Sequence, residues 1–295
     1  MTSPFDLDES RAYAQWRQRK LDTAPRRLDD ILVEIGDPRC LTLAERGRLL
    51  ALNALANMAV YASGTGRDPD KEIPRRLGAQ LGLKTLDSHW LTDDDAISPI
   101  SVRGAEERGE RREFIPYTDK PIKWHTDGYY NPPERTVRGL LLHCVESAAT
   151  GGENQLLDHE LAYILLRDEN PDYIRALSAP DAMTIPPRID ETGIARAEQP
   201  GPVFSVNADG TLHMRYTART VSIAWKPDAA TLAARTALER LFSGATPWTL
   251  RGRLEPGMGL VSNNVLHDRA GFTETSQRRR LLYRARYFER VGQPA

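Results

Sequence analysis

Cysteine is nearly absent from this 295-residue chain, with Cys40 and Cys144 the only two. A single pair cannot build a disulfide framework, and so few thiols suit a reducing compartment. Long apolar runs are missing too: nothing approaches the roughly 18 consecutive apolar residues of a membrane-spanning helix. The opening MTSPFDLDES has neither the basic flank nor the apolar stretch of a secretory signal, so a cytoplasmic protein is expected. Surplus charge is also lacking, since 40 basic and 41 acidic side chains leave a formal net charge of -1. That balance argues against nucleic acid as a partner, because gripping phosphate backbones needs a basic excess. Lysine is scarce, and the arginines are spread along the chain, so they mark no patch of their own. Internal repeats and low-complexity tracts are absent. What is left, at 40% hydrophobic and 27% charged residues, is an ordinary globular composition.

The first third has helical periodicity. Apolar spacing predicts helices over Asp8–Leu21, Thr42–Ala62 and Asp70–Leu81, the last closed by Gly82. Thr42 with Glu45 three residues on is a capping box that opens the second. From Ile97 the texture changes to short runs broken by Gly, Pro and Asn. Strands are predicted over Ile97–Val102, Val137–Val145, Met183–Ile185, Pro202–Val206, Thr211–Tyr216, Gly257–Ser262 and Arg279–Phe288. Helices are predicted over Asp158–Arg167, which His159 helps to open, and over Asp228–Phe242. The segment RGAEERGERR, residues 103–112, is the most charged run and is read as a solvated loop or a lid. The chain thus reads as one domain, 1–295. Residues 1–96 are mainly helical, and 97–295 form a sandwich or barrel with a helical insertion at about 158–250.

Of six histidines, only His125 begins an H-x-D triplet, His125-Thr126-Asp127. Chance alone would supply roughly 0.4 such triplets, so its context matters. At a strand end, residues i and i+2 face the same way, and this imidazole and carboxylate can converge on one cation. His267 in GMGLVSNNVLHDR, just beyond an apolar strand, is the candidate third ligand. Two imidazoles and one carboxylate leave adjacent coordination positions open, the arrangement of non-haem Fe(II) centres that activate oxygen. His143, within LLLHC beside Leu141, reads as a packed strand histidine, and His89, His159 and His213 receive no role. The closing RRRLLYRARYFER, read as a strand, puts Arg280, Arg284 and Arg286 on one face. If that face is buried, its charges need partners, and no carboxylate run is there to supply them. An anionic ligand would. An exposed edge strand or a nucleic-acid stripe are the alternatives.

The segments WHTDGYY, ATGGENQLLD, EPGMGLVSNNVLHDR and RRLLYRA together resemble the taurine dioxygenase-type (TauD/TfdA) Fe(II)- and 2-oxoglutarate-dependent oxygenases. RGLLLHCVESAATGGENQLLD is also similar to the γ-butyrobetaine hydroxylase branch. The resemblance runs from about Tyr117 to Phe288 and rests on the joint order of its parts. It implies a double-stranded β-helix (jelly-roll, cupin-like) core within a mainly β, helix-bearing fold. It implies Fe(II) on His125, Asp127 and His267, with 2-oxoglutarate as cosubstrate and O2 as oxidant. Arg280 matches the arginine that meets the distal carboxylate of 2-oxoglutarate. Asn154 stands where the family usually has a threonine or serine touching that carboxylate. Asp268 stands where the family often has Gly or Ala. Arg284 matches a position that holds an anionic substrate or the cosubstrate.

The activity so implied is hydroxylation of an aliphatic C–H of a small polar substrate, an amino acid, betaine or other anionic metabolite, with release of succinate and CO2. Trp124, Tyr129, Tyr130 and Tyr216 are the further substrate candidates, with cation–π contact or plain packing as their two readings. Desaturation and ring closure stay open, while Asp127 disfavours halogenation. A cupin-like metal enzyme without 2-oxoglutarate, or a metal-free binding protein on the same fold, are the other readings. Relatives of this type often form homo-oligomers, but no self-complementary patch is legible here.

Overall fold

The computed structural model of the chain describes residues 3–88, 93–102, 114–190, 193–219 and 223–293. Ten strands form its two larger sheets. In chain order they are β1 (Leu32–Ile35), β2 (Met58–Ser63), β3 (Ser98–Ile100), β4 (Ile122–His125) and β5 (Gly139–Glu146). They continue with β6 (Asn154–Leu157), β7 (Leu250–Gly252), β8 (Met258–Ser262), β9 (Leu266–Arg269) and β10 (Leu281–Tyr287). One sheet has the order β1-β2-β8-β5-β10-β3, the other β7-β6-β9-β4. β1 and β2 are parallel. They are joined by helix α2 (Leu43–Ala56), because parallel neighbours need a crossover rather than a hairpin. β8 runs antiparallel to both β2 and β5, and β10 antiparallel to both β5 and β3. Leu141, Val145 and Val261 of the larger sheet share one buried cluster with Leu156 and Leu250 of the smaller. The core is a jelly roll with helices.

Backbone contacts divide the chain into two compact units. Residues 25–123, 137–156 and 250–295 hold the six-stranded sheet together with α2 and α3 (Glu72–Gln80). Residues 1–24, 124–136 and 157–249 hold α1 (Ser10–Thr23), α4 (His159–Glu169), α5 (Pro171–Leu177) and α6 (Ala229–Ser243) with three small antiparallel sheets. In this second unit the buried ammonium of Lys20 on α1 pairs with Asp158 at 2.6 Å and Glu160 at 2.5 Å. Asp158 also caps α4 through the Glu160 amide, so one carboxylate serves a helix start and a helix-to-helix tie.

The Thr42 capping box forms as expected, with Glu45 bonded back to the Thr42 amide at 2.7 Å. The predicted helix to Ala62 is wrong beyond Ala56. Asn57 adopts the left-handed conformation, φ 57°, and ends it. Met58–Ser63 is instead strand β2, with Met58 to Tyr61 buried on both faces. β1 and α5 were not anticipated. The charged run 103–112 and His89 lie outside the described residues.

Candidate active site

β4 ends on His125, a second segment flanks that end, and Asp127 begins the turn that follows. His125 bridges to Thr217, the Ala218 amide donates to the Trp124 carbonyl at 2.8 Å, and the Thr126 amide donates to Tyr216 at 2.9 Å. Thr126 Oγ1 accepts from the Tyr216 amide at 3.1 Å. Gly128, at φ 68°, then turns the chain. β8 closes at Ser262, Asn264 at φ 54° makes the turn, and its side chain donates to the Val137 carbonyl at 2.7 Å. His267 is the second residue of β9, inside a strand rather than beyond one as the sequence suggested. Since β9 neighbours β4 in the smaller sheet, the two distant stretches meet. His125, Asp127 and His267 each offer one ligand atom, and these atoms all lie within 4.8 Å of one another.

The donor set fits a divalent iron. Asp127 and His267 are buried, both 6% exposed. Nδ1 of His267 lies 2.9 Å from the Val265 carbonyl. A carbonyl only accepts, so the proton sits on Nδ1 and Nε2 keeps its lone pair, the tautomer a metal requires.

Arg280 is buried while the neighbouring Arg279 is exposed, and no described residue gives its guanidinium an ion-pair partner. Burial pushes its pKa down to about 10. The guanidinium carbon lies 5.2 Å from the centre of the Phe272 ring. It lines a small cavity with Ser147, Gly152, Asn154, Leu254 and Leu282. The paired glycines have a steric reason. A Cβ on Gly151 would sit 2.3 Å from the Gly271 carbonyl, and both glycines have φ above +70°. Asn154 lines the same cavity, and its Nδ2 donates to the Asp268 carbonyl at 2.5 Å. Asp268 has a structural function that its sequence position did not suggest. Its carboxylate accepts from the Gln155 amide at 2.7 Å and Gln155 Nε2 at 2.8 Å, tying β6 to β9.

The other candidates separate. Trp124 lies on the side of β4 opposite His125 and stacks on Phe242 at 5.6 Å. Tyr216, 2% exposed, packs on the same ring at 4.9 Å. Tyr129 and Tyr130 are half-buried and meet edge to face at 5.2 Å. Arg284 is half-buried on β10, a strand of the larger sheet rather than the one carrying His125 and His267. Arg286 corrects the expectation that no carboxylate neutralises the strand: Asp87 pairs with it at 2.6 Å, both fully buried. His143 is a packed histidine, stacked on Tyr61 with Nδ1 2.9 Å from its hydroxyl. Sequence reading missed Phe272 and Arg269, although DRAGF follows the distal histidine directly.

A sequence profile of the taurine catabolism dioxygenase TauD, TfdA family matches residues 75–286. The chain belongs to this family. Among characterised relatives, a uridine-5'-phosphate dioxygenase of Amycolatopsis sp is 32% identical over 171 residues, 56% of this chain and 60% of that protein. The chain thus spans about 60% of the length of that relative. A uridine-5'-phosphate dioxygenase of Streptomyces sp is 28% identical over 212 residues, covering 69% and 73% of the two chains. The fold matches that of the non-heme iron oxygenase OrfP in complex with Fe and alpha-ketoglutaric acid. There the TM-score is 0.61 at 16% identity, over 94% of this chain and 90% of that one. It also matches an asparagine oxygenase complexed with Fe(II), 3-hydroxyasparagine and succinate, TM-score 0.59 at 15% identity over 85% and 80%. Among the described residues no helix is long and apolar enough to cross a membrane.

Proposed function

We propose that His125, Asp127 and His267 hold Fe(II), that Arg280 binds the distal carboxylate of 2-oxoglutarate, and that the protein hydroxylates an aliphatic C–H of a small anionic substrate. The observation that supports this most is the convergence of the three donor atoms within 4.8 Å. When bound, iron and 2-oxoglutarate supply the oxygen-activating chemistry, with succinate and CO2 as coproducts. The chain's own residues fix geometry and charge. The Val265 carbonyl holds the His267 ring in the metal-binding tautomer. The Arg280 guanidinium has no ion pair among the described residues, Glu274 bonding only its main-chain amide, and regains by binding a carboxylate some of what its burial costs. Leu254 and Leu282 give its cavity apolar walls, strengthening that charge pairing. Asn154 stands beside it as a second donor.

A phosphate monoester such as uridine 5'-phosphate, named for both curated relatives, is the first substrate to test; free amino acids, betaines and sulfonates follow. The assay is succinate release from 2-oxoglutarate with Fe(II) under air. His125→Ala and Asp127→Ala should abolish release while leaving the melting temperature within a few degrees. Retained turnover in either variant would move the metal elsewhere.

A further inference from the structure

Arg196 and Arg215 meet the turn that follows Asp127, and no described carboxylate forms an ion pair with either. Arg196 donates to the Pro186 carbonyl at 2.6 Å, and its guanidinium carbon lies 5.7 Å from the Tyr130 ring centre. Its Nε is buried and has no acceptor among the described residues. Arg215 is held by three main-chain carbonyls, those of Tyr129 at 2.7 Å, Met183 at 2.9 Å and Gln199 at 2.7 Å. Carbonyls orient this guanidinium but leave its charge uncancelled. Burial lowers the pKa of both arginines, and the positive charge of Arg188 adds to the effect on Arg196 and that of Arg196 to the effect on Arg215. Two partly desolvated cations that repel each other are destabilised in a way that a bound anion would offset.

The position is as informative as the charge. Tyr130 is three residues beyond Asp127 in the turn that Gly128 opens, where the Asn131 amide bonds back to Gly128 at 2.8 Å. Arg215, by holding the Tyr129 carbonyl, fixes that same turn. An anion on Arg196 therefore has its organic part beside the Tyr129–Tyr130 pair, a few residues from a metal ligand. A phosphate dianion suits this place better than a carboxylate, since it can cancel two positive charges and still accept from a guanidinium fork.

We infer that Arg196, backed by Tyr130 and the charge of Arg215, is the subsite for the phosphate of a small phosphate monoester substrate. The inference rests on the oxygenase reading above, and it moves the anion-binding role from Arg284 to Arg196. Binding is measured by calorimetry on the full chain, first metal-free and then anaerobically with Fe(II) and 2-oxoglutarate. The probes are uridine 5'-phosphate, uridine and inorganic phosphate. Uridine 5'-phosphate should bind at least about tenfold tighter than uridine, and Arg196→Gln should weaken it roughly 10- to 100-fold, the loss of one or two charged hydrogen bonds. Arg196→Lys should restore part of that loss, showing that charge and not folding is at stake. Inorganic phosphate binding that is also lost in Arg196→Gln supports the subsite. Equal affinity for uridine and its phosphate, no binding of either phosphate probe, or a loss in Arg284→Gln with Arg196→Gln unchanged would each overturn it. Because the first titration contains no iron, a failed succinate assay with intact phosphate binding would count against the metal reading alone.

Discussion

Arg269, two residues beyond His267, makes a sharp test of how the strand that carries this proposed ligand is held. Its guanidinium donates to four main-chain carbonyls: Lys120 at 2.6 Å, Thr118 at 2.7 Å, Pro116 at 3.2 Å and Ile115 at 3.4 Å. All four lie in the segment that leads into β4, so the side chain next to one ligand strand pins the entry to the other. Hydrogen bonds from a charged donor contribute about 1.5–3 kcal/mol each, and the two short ones should dominate, giving about 3–6 kcal/mol gross. Against this stands the burial of an unpaired cation, whose pKa burial pushes down to about 9, the charge of Arg280 adding to the effect. Removing that cation recovers part of its desolvation cost. Arg269→Met should therefore destabilise by about 2–4 kcal/mol net, roughly 4–8 °C in melting temperature for a chain of this size. A loosened β4 should also weaken divalent metal binding about 10- to 100-fold, the usual effect of losing a residue that orients ligands. Differential scanning calorimetry and anaerobic metal titration read the two effects separately. A lower melting temperature with unchanged metal affinity would refute the link to His125, and no change in either would refute the clamp.

Arg280→Ala should raise the 2-oxoglutarate concentration needed for half-maximal succinate release by at least about tenfold, whereas Arg279→Ala, at an exposed position, should not; equal effects would mean a wrong strand register. Burial holds the His143 pKa down to about 4, against about 6.5 in an unfolded chain. The unfolded state thus takes up this proton first on acidification, so the contribution is complete above about pH 6.5 and is lost as pH falls towards 4, by roughly 3 kcal/mol. Urea titrations at pH 7.5 and 4.5 should show that slope reduced by about this amount in His143→Gln. Asp87→Asn should cost about 3–5 kcal/mol by stranding Arg286, while the double change Asp87→Asn with Arg286→Met should recover much of it; chemical denaturation of the four forms completes the cycle.

Where the residues signal geometry locally, the sequence was readable. Thr42 and Glu45 mark a helix start because a capping box needs only four residues. The H-x-D triplet marks a strand end because a period of two fixes which side chains converge. β2 was not readable for the opposite reason. Met58, Ala59, Val60 and Tyr61 are buried on both faces, so no alternation distinguishes them from the helix before. The signal that existed was Asn57, one of the few residues that tolerate the left-handed conformation. The short strand β1 gains its partner from β2, and thus went unseen with it.

The arginine-rich strand shows why charge in a sequence cannot be assigned a partner by proximity along the chain. Arg280 and Arg286 both become buried, yet the Arg286 guanidinium pairs with Asp87, some two hundred residues away in sequence, while Glu274 takes only the Arg280 main-chain amide and no described carboxylate forms an ion pair with its guanidinium. The same local pattern therefore yields one structural ion pair and one buried guanidinium without one, and only the fold tells them apart. Arg269 and Arg215 add a third outcome, a guanidinium spent on main-chain carbonyls. Other buried guanidiniums also bond neutral groups, Arg167 the carbonyls of Pro4 and Asp6 and Arg290 the Asn57 side chain. The proposals for Arg280 and Arg196 therefore rest on what each one lacks, an ion pair for the first and an acceptor for the Nε of the second among the described residues.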